Sequence, residues 1–218
     1  MTTFELCVWL SQSPPVIAGA IARRRLTTAR RWVVAWGLYS VLGTAAQMIF
    51  AHPGSSNLWL TYILAPIDVS LALYALSCFS VRPVARSALR WAVVVALAIH
   101  VAALLLLENR TGYSIVGVPS YALIAFAAAL TTFVMLALDE TEAMVRQDWF
   151  WIAGGYAIYY AALAVVQPLS AVLLTADRGT LRIVVTVFLV VNAASYLAVA
   201  AGLLMPAARS TVNVPAGR

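Results

Sequence analysis

The feature that most constrains this chain is a succession of seven long apolar stretches along its 218 residues. Each has roughly the 17 to 25 residues that a helix needs to cross the hydrocarbon core of a bilayer. Since 63% of the residues are apolar and 10% are charged, no polar surface remains to enclose a water-soluble core. The sequence therefore predicts an all-α polytopic membrane protein with seven transmembrane helices, at residues 3–22, 32–50, 58–80, 91–107, 114–138, 149–175 and 183–205.

The connections between these stretches are short, and none exceeds about a dozen residues, so neighbouring helices should pack antiparallel. We expect residues 1–206 to form a single transmembrane bundle and residues 207–218 to form a short cytoplasmic tail.

Arginine distribution predicts how the chain is oriented in the membrane. All 14 basic residues are Arg, and Lys is absent. Alternate loops and the tail carry eleven of them on one side: Arg23, Arg24, Arg25, Arg30, Arg31, Arg82, Arg86, Arg90, Arg146, Arg209 and Arg218. Because cytoplasmic loops are enriched in basic residues, the N-terminus should lie outside and the C-terminus in the cytoplasm. Arg without Lys, together with abundant Ala and Val, suggests a GC-rich bacterial genome and hence a bacterial inner membrane.

Composition and motifs exclude several functions. A chain without lysine cannot hold retinal as a Schiff base, so no covalent retinal cofactor is expected. The sequence has no HExxH, Walker, GxSxG or CxxC pattern, and its two His cannot supply a multi-His zinc site. We therefore predict no metal and no catalytic residue, and an intramembrane enzyme ranks third among the hypotheses. Topology explains the +6 charge, so no nucleic-acid partner is expected.

Polar side chains within the apolar stretches are the candidates for function, because they are costly in lipid unless paired or hydrated. Four of them fall in the middle or outer half of the membrane, and helices six and seven add tyrosines on the same faces. The predicted ligand-binding residues are Asp68, His100, Tyr156, Tyr160, Gln167, Asn192 and Tyr196. Glu5, Gln47, His52 and Tyr62 are candidates for the mouth of this pocket. The alternative is that each polar group only bridges two helices.

Prolines interrupt three of the predicted helices, at Pro14 with Pro15, at Pro66 and at Pro168. Each removes a backbone donor and favours a kink, which polar side chains or water must repair. The polar residues beside these prolines are explained either by such repair or by a polar cavity between broken helices.

Three stretches resemble a family of small, uncharacterised bacterial seven-helix membrane proteins. They are residues 57–60 leading through Pro66 to Asp68, residues 149–152 followed by Gly155 and Tyr156, and Asn192 in the last helix. The resemblance covers most of the chain. It implies the fold and supplies no activity.

Two functional hypotheses follow. The first is a ligand-sensing or partner-binding module, in which Arg30, Arg31, Glu140 and Glu142 form a cytoplasmic surface for a separate signalling partner. The second is a small proton-coupled transporter using Asp68 and His100. A transporter predicts internal repeats, and the sequence shows no convincing one.

Overall fold

The computed structural model describes residues 10–50, 58–80, 82–108, 113–139, 143–176 and 178–206, apart from the side chains at 139, 175, 176 and 178. No strand occurs among these residues, so the predicted all-α class is confirmed. The helices are α1 (Pro14–Ile21), α2 (Thr28–Ile49), α3 (Leu58–Phe79), α4 (Pro83–Leu106), α5 (Gly117–Asp139), α6 (Asp148–Ala176) and α7 (Arg178–Leu204).

Six of these helices, α2 to α7, are long and apolar enough to cross a membrane. Helix α1 has eight residues, and the predicted first span begins in the part of the chain that the structure does not describe. Helices α2 and α4 begin earlier than their apolar stretches. The added residues include Arg30 and Arg31 in α2 and Arg86 and Arg90 in α4. A helix can continue into the headgroup layer, where an exposed arginine is solvated.

The double proline begins α1 instead of bending a longer helix. Ser13 separates this helix from the helical residues 10–12, and its hydroxyl donates to the carbonyl of Leu10 over 2.8 Å. Pro14 and Pro15 then occupy the first helical positions, where a missing N–H costs nothing.

The helices form a closed bundle in which each packs against its neighbours in sequence, and α1 fills the place between α2 and α7. Helix α3 also contacts α5 and α6 and is the most buried of the six long helices. Helices α6 and α7 approach closely at Gly155 and Gly202. A Cβ at Gly155 would lie 2.9 Å from the carbonyl oxygen of Ser195, and one at Gly202 would lie 2.7 Å from that of Asp148. Larger residues at either position would separate the two helices.

One end of the bundle is held by a buried ion pair. Arg30 is 1% exposed, and its Nε donates to Oδ2 of Asp148 over 2.8 Å. Its terminal Nη2 donates to the carbonyl of Met205 over 2.9 Å. Three segments meet here, namely the start of α2, the start of α6 and the residue after α7. We call this end, which also carries Arg23–Arg25, the Arg-rich end, and the opposite end the Arg-poor end.

The same contacts change the expected role of Arg30. The sequence predicted Arg30 to be part of a partner-binding surface. In the structure its side chain lies inside the bundle, where Asp148 and the end of α7 accept its hydrogen bonds. Arg31, the next residue, is exposed. Glu140 and Glu142 lie outside the described residues.

Candidate ligand-binding cavity

A cavity of about 290 Å³ lies between α2, α3, α6 and α7, with further walls from residues near the starts of α1 and α5. Its polar wall residues are Gln12, Ser40, Thr44, Gln47, Thr61, Asp68, Gln167 and Asn192. Its aromatic wall residues are Tyr39, Tyr113, Tyr121, Tyr159, Phe188 and Tyr196. Of the seven predicted ligand-binding residues, the structure brings Asp68, Gln167, Asn192 and Tyr196 to this wall.

Wall residues extend from the Arg-poor end to the middle of the bundle. Gln47 is two residues from the end of α2, and Thr61 is three residues from the start of α3. Asp68 lies ten residues into α3, which corresponds to a depth of about 15 Å at 1.5 Å per residue. This is close to half of the roughly 30 Å of hydrocarbon in a bilayer. The cavity therefore leads from the Arg-poor end towards the centre of the membrane.

Hydrogen bonds between helices orient the polar groups near the mouth. Thr44 donates to Oε1 of Gln12 over 2.6 Å, and Nε2 of Gln47 donates to the hydroxyl of Thr61 over 3.4 Å. Deeper in the cavity, Tyr39 donates to the carbonyl of Leu64 over 2.8 Å. Of the residues expected at the mouth, Gln47 lies there, Tyr62 is not in the wall, and Glu5 and His52 lie outside the described residues.

Asp68 is the acidic residue among the described residues of the cavity wall. It is 9% exposed, and its Oδ2 accepts a hydrogen bond from the hydroxyl of Tyr160 over 2.9 Å. The indole of Trp36 lies beside the same carboxylate, although its N–H forms no hydrogen bond of ordinary geometry. Among the described residues, no arginine or histidine forms an ion pair with Asp68. Within the part of the chain that the structure describes, the carboxylate is thus buried with the hydroxyl of Tyr160 as its donor and without an opposite charge.

Aromatic side chains close the cavity towards the Arg-rich end, and we call them the aromatic floor: Trp36, Tyr156, Tyr159, Tyr160 and Tyr196. The ring of Trp36 stacks on Tyr196 with centroids 4.9 Å apart and meets the edge of Tyr156 at 4.7 Å. Tyr156 and Tyr160, two of the predicted ligand-binding residues, lie in this floor behind the wall and are fully buried. Their common location in the floor agrees with the expectation that the two residues lie on one face of α6.

Asn192 presents an unused acceptor at the wall. It is 4% exposed, and its Oδ1 accepts no hydrogen bond from any residue that the structure describes. A buried amide oxygen without a donor is uncommon in native proteins because it has lost its hydrogen bonds to water. Because this oxygen has almost no accessible surface, a ligand or a water molecule would reach it only after the side chain rotates towards the cavity.

His100 is absent from the described cavity wall and has a structural role. Its Nε2 lies 2.9 Å from the carbonyl oxygen of Tyr62, so this nitrogen carries the proton and donates. Tyr62 is the residue four before Pro66, so its carbonyl is the one that loses its helical partner at the proline. The structure thus assigns His100 to repair of the α3 backbone, and it gives Asp68 and His100 different partners.

Glu108 forms a second polar contact at the Arg-poor end, just after α4. Its Oε1 accepts from the hydroxyl of Ser114 and from the backbone N–H groups of Val116 and Gly117, at 2.9 and 2.7 Å for the two amides. The carboxylate therefore sits at the N-terminus of α5, where the helix dipole favours negative charge. Burial raises the pKa of Glu108, but these hydrogen bonds outweigh burial and leave the pKa below its usual value.

The sequence did not single out four residues that complete the site, namely Trp36, Tyr39, Tyr121 and Tyr159. Each lies in a strongly apolar helix, where an aromatic residue is equally typical of ordinary packing. A recognisable signal was the density of tyrosine in α6, with Tyr156, Tyr159 and Tyr160 inside five residues.

Within the described residues, no group of three or more His, Cys, Asp or Glu is placed to hold a metal ion. Comparison of the chain with protein-family models, with curated proteins and with solved structures finds no match. The site must therefore be interpreted from its own geometry.

Proposed function

We propose that this protein is a membrane-embedded receptor-like module that binds a small ligand in the cavity at Asp68 and Asn192. The observation that carries the proposal is a cavity with a polar wall that ends on an aromatic floor near mid-membrane. Ligand sites typically combine an apolar or aromatic lining with a few converging polar groups.

The proposal includes the full topology, with seven spans, the N-terminus outside and the C-terminus in the cytoplasm of a bacterial inner membrane. Two observations support it. Helix α1 packs between α2 and α7 as a seventh member of the bundle. The arginine bias favours a cytoplasmic location for the Arg-rich end, so the cavity would admit ligands from outside the cell.

Closure of the cavity favours binding over transport. A carrier needs a path that opens alternately to both sides, whereas Trp36 and Tyr196 stack across the inner end of this cavity. A proton-coupled carrier using Asp68 and His100 would also need these groups to communicate. Instead, Asp68 accepts a hydrogen bond from Tyr160, whereas His100 contacts the carbonyl of Tyr62. We therefore prefer a sensor to the transporter hypothesis.

A sensor must also transmit ligand occupancy to the other side of the membrane. Helices α3 and α6 border the cavity and contain Pro66 and Pro168, at which a helix bends most easily. We propose that movement of these helices alters the Arg-rich end, where Arg31 is exposed to a separate cytoplasmic signalling partner.

Cysteine labelling tests whether the cavity is open to the outer side. Both native cysteines are first replaced by serine, and Thr44→Cys then places a thiol in the wall. A membrane-impermeant thiol reagent added to intact cells should label this variant. The matched control is Leu38→Cys on the same helix, whose position is 46% exposed, absent from the cavity wall and expected to face lipid. The control should stay unlabelled, because thiols in lipid do not ionise and react slowly.

Labelling of Thr44→Cys from the inner side alone would refute the proposed orientation. Failure to label it from either side would refute an open cavity and with it the proposed ligand binding. Equal labelling of Thr44→Cys and Leu38→Cys would also contradict the proposal, because both positions would then be in water.

A further inference from the structure

We infer that the cavity binds a small organic cation, either a primary amine in its ammonium form or a quaternary ammonium, with Asp68 as its counter-ion. This inference rests on the proposed function, since it names the ligand class of the same cavity. It is carried by charge, hydrogen bonding, aromatic lining and size.

Charge is the first argument. Asp68 is the only Asp, Glu, Arg or His in the cavity wall among the described residues. Burying a carboxylate without an opposite charge is costly, and a bound cation would offset that cost. An anionic ligand would meet the same carboxylate as a like charge in a poorly solvated site, and no basic side chain of the described wall would attract it.

Hydrogen bonding is the second argument. Two acceptors from different helices lie deep beside the cavity. One is the carboxylate of Asp68 on α3. The other is Oδ1 of Asn192 on α7, which is buried, accepts no hydrogen bond from the described residues and would face a ligand after rotation of its side chain. A primary ammonium carries three N–H donors and no acceptor, so it complements two such oxygens. Asn192 supports a donor ligand independently of Asp68, because an amide oxygen accepts whatever the protonation state of the carboxylate.

The aromatic lining is the third argument. Four tyrosines of the wall, Tyr39, Tyr121, Tyr159 and Tyr196, come from four different helices. Aromatic rings attract cations through the negative charge on their faces, and cages of such rings recognise alkylated ammonium groups. Tyr196 is held from behind by Trp36, so its ring is fixed before a ligand arrives.

Size limits the ligand further. The cavity volume of about 290 Å³ is near the lower end of the range for ligand pockets. A compact amine fits a cavity of this volume.

The test uses the Thr44→Cys protein and two thiol reagents of similar size and opposite charge. They are the trimethylammonium-ethyl and the sulfonato-ethyl methanethiosulfonates. Rates are normalised to those of a free thiol in solution. The cationic reagent should react faster than the anionic one by about tenfold or more, and tetramethylammonium should slow its reaction. Neutral alcohols of the same size as tetramethylammonium should not slow the reaction of the cationic reagent.

Asp68→Asn in the same background should abolish the charge preference and the protection by tetramethylammonium. Asparagine keeps an acceptor for the hydroxyl of Tyr160, so the change chiefly removes the charge. Glu108→Gln is the matched control, because it neutralises a carboxylate near the Arg-poor end that is not in the described cavity wall. This control should leave the preference and the protection unchanged.

Each other outcome overturns either the cation inference or the assignment to Asp68. If a carboxylate or an alcohol protects Thr44→Cys as well as tetramethylammonium does, the cavity binds ligands but the cation inference is wrong. If the Thr44→Cys protein with Asp68 intact reacts equally with both reagents and is not protected by ammonium ions, the cation inference is also wrong. If Glu108→Gln abolishes the preference as Asp68→Asn does, the attraction comes from the protein surface and the assignment to Asp68 is wrong.

Discussion

Replacing Arg30 by methionine should destabilise the bundle more than any other change of an arginine that the structure describes. The substitution removes the guanidinium from a site where it is 1% exposed and leaves Asp148 buried, with a side chain 3% exposed. Removing one partner of a buried ion pair typically costs about 3 to 5 kcal/mol, because the remaining charge loses its compensation. The carbonyl of Met205 loses its donor in the same step.

The structure favours the lower end of that range. Oδ1 of Asp148 also accepts the backbone N–H of Trp149 over 2.9 Å, so the carboxylate keeps one donor at the start of α6. We therefore expect a loss of about 3 kcal/mol. For a chain of this size, 1 kcal/mol corresponds to roughly 2–4 °C, so the melting temperature should fall by about 6–12 °C.

Thermal unfolding of the protein in lipid nanodiscs, followed by tryptophan fluorescence, measures this effect. Arg31→Met is the matched control, because Arg31 is exposed and should change the melting temperature by about 2 °C or less. The double variant Arg30→Met with Asp148→Asn should recover about half of the loss, since it leaves no unpaired charge. A shift for Arg30→Met no larger than that for Arg31→Met would refute the reasoning.

Two further predictions concern the Arg-poor half of the bundle. His100→Leu should lower the free energy of unfolding by about 1–3 kcal/mol, because it removes the imidazole donor to the carbonyl of Tyr62. This loss should shrink in a Pro66→Ala background, where the restored N–H donates to that carbonyl. Strictly additive losses in melting temperature would contradict this repair. Glu108→Gln should cost about 1 kcal/mol at pH 7. Because the folded pKa of Glu108 lies below its usual 4.5, the carboxylate stabilises the fold above that pH and loses this contribution as the pH falls. The difference between wild type and variant in the free energy of chemical unfolding should therefore shrink as the pH falls below 4.5, and a constant difference would contradict the assignment.

Part of the candidate site could be predicted from the sequence because a charged or amide group at mid-membrane is rare. Asp68 and Asn192 each stand alone among apolar neighbours, so their burial at a shared wall follows from the cost of exposing them to lipid. Depth along each helix could also be counted, since the rise per residue is fixed. Polarity and depth also led to the prediction of Gln167 and Tyr196, both of which lie in the wall.

The same reasoning could not assign His100 and Arg30. His100 has a suitable depth but faces the carbonyl of Tyr62 across the α3–α4 contact, away from the described cavity wall. In the sequence, Arg30 cannot be distinguished from the other arginines of the cytoplasmic loops. Its partner Asp148 lies 118 residues later in the chain, and only the fold brings the two together. In both cases the partner lies on another helix, and no local sequence pattern identifies it.

What the sequence alone determined is the helical, membrane-embedded class and the approximate limits of the apolar helices. Lipid imposes this result, because every backbone group in hydrocarbon must be bonded within its own helix and only long apolar helices satisfy that demand. What the tertiary structure decided is which face of each helix points inward. Lipid-facing and core-facing residues are equally apolar, so periodicity cannot separate them, and only helix packing brought Trp36 of α2 beneath the carboxylate of α3.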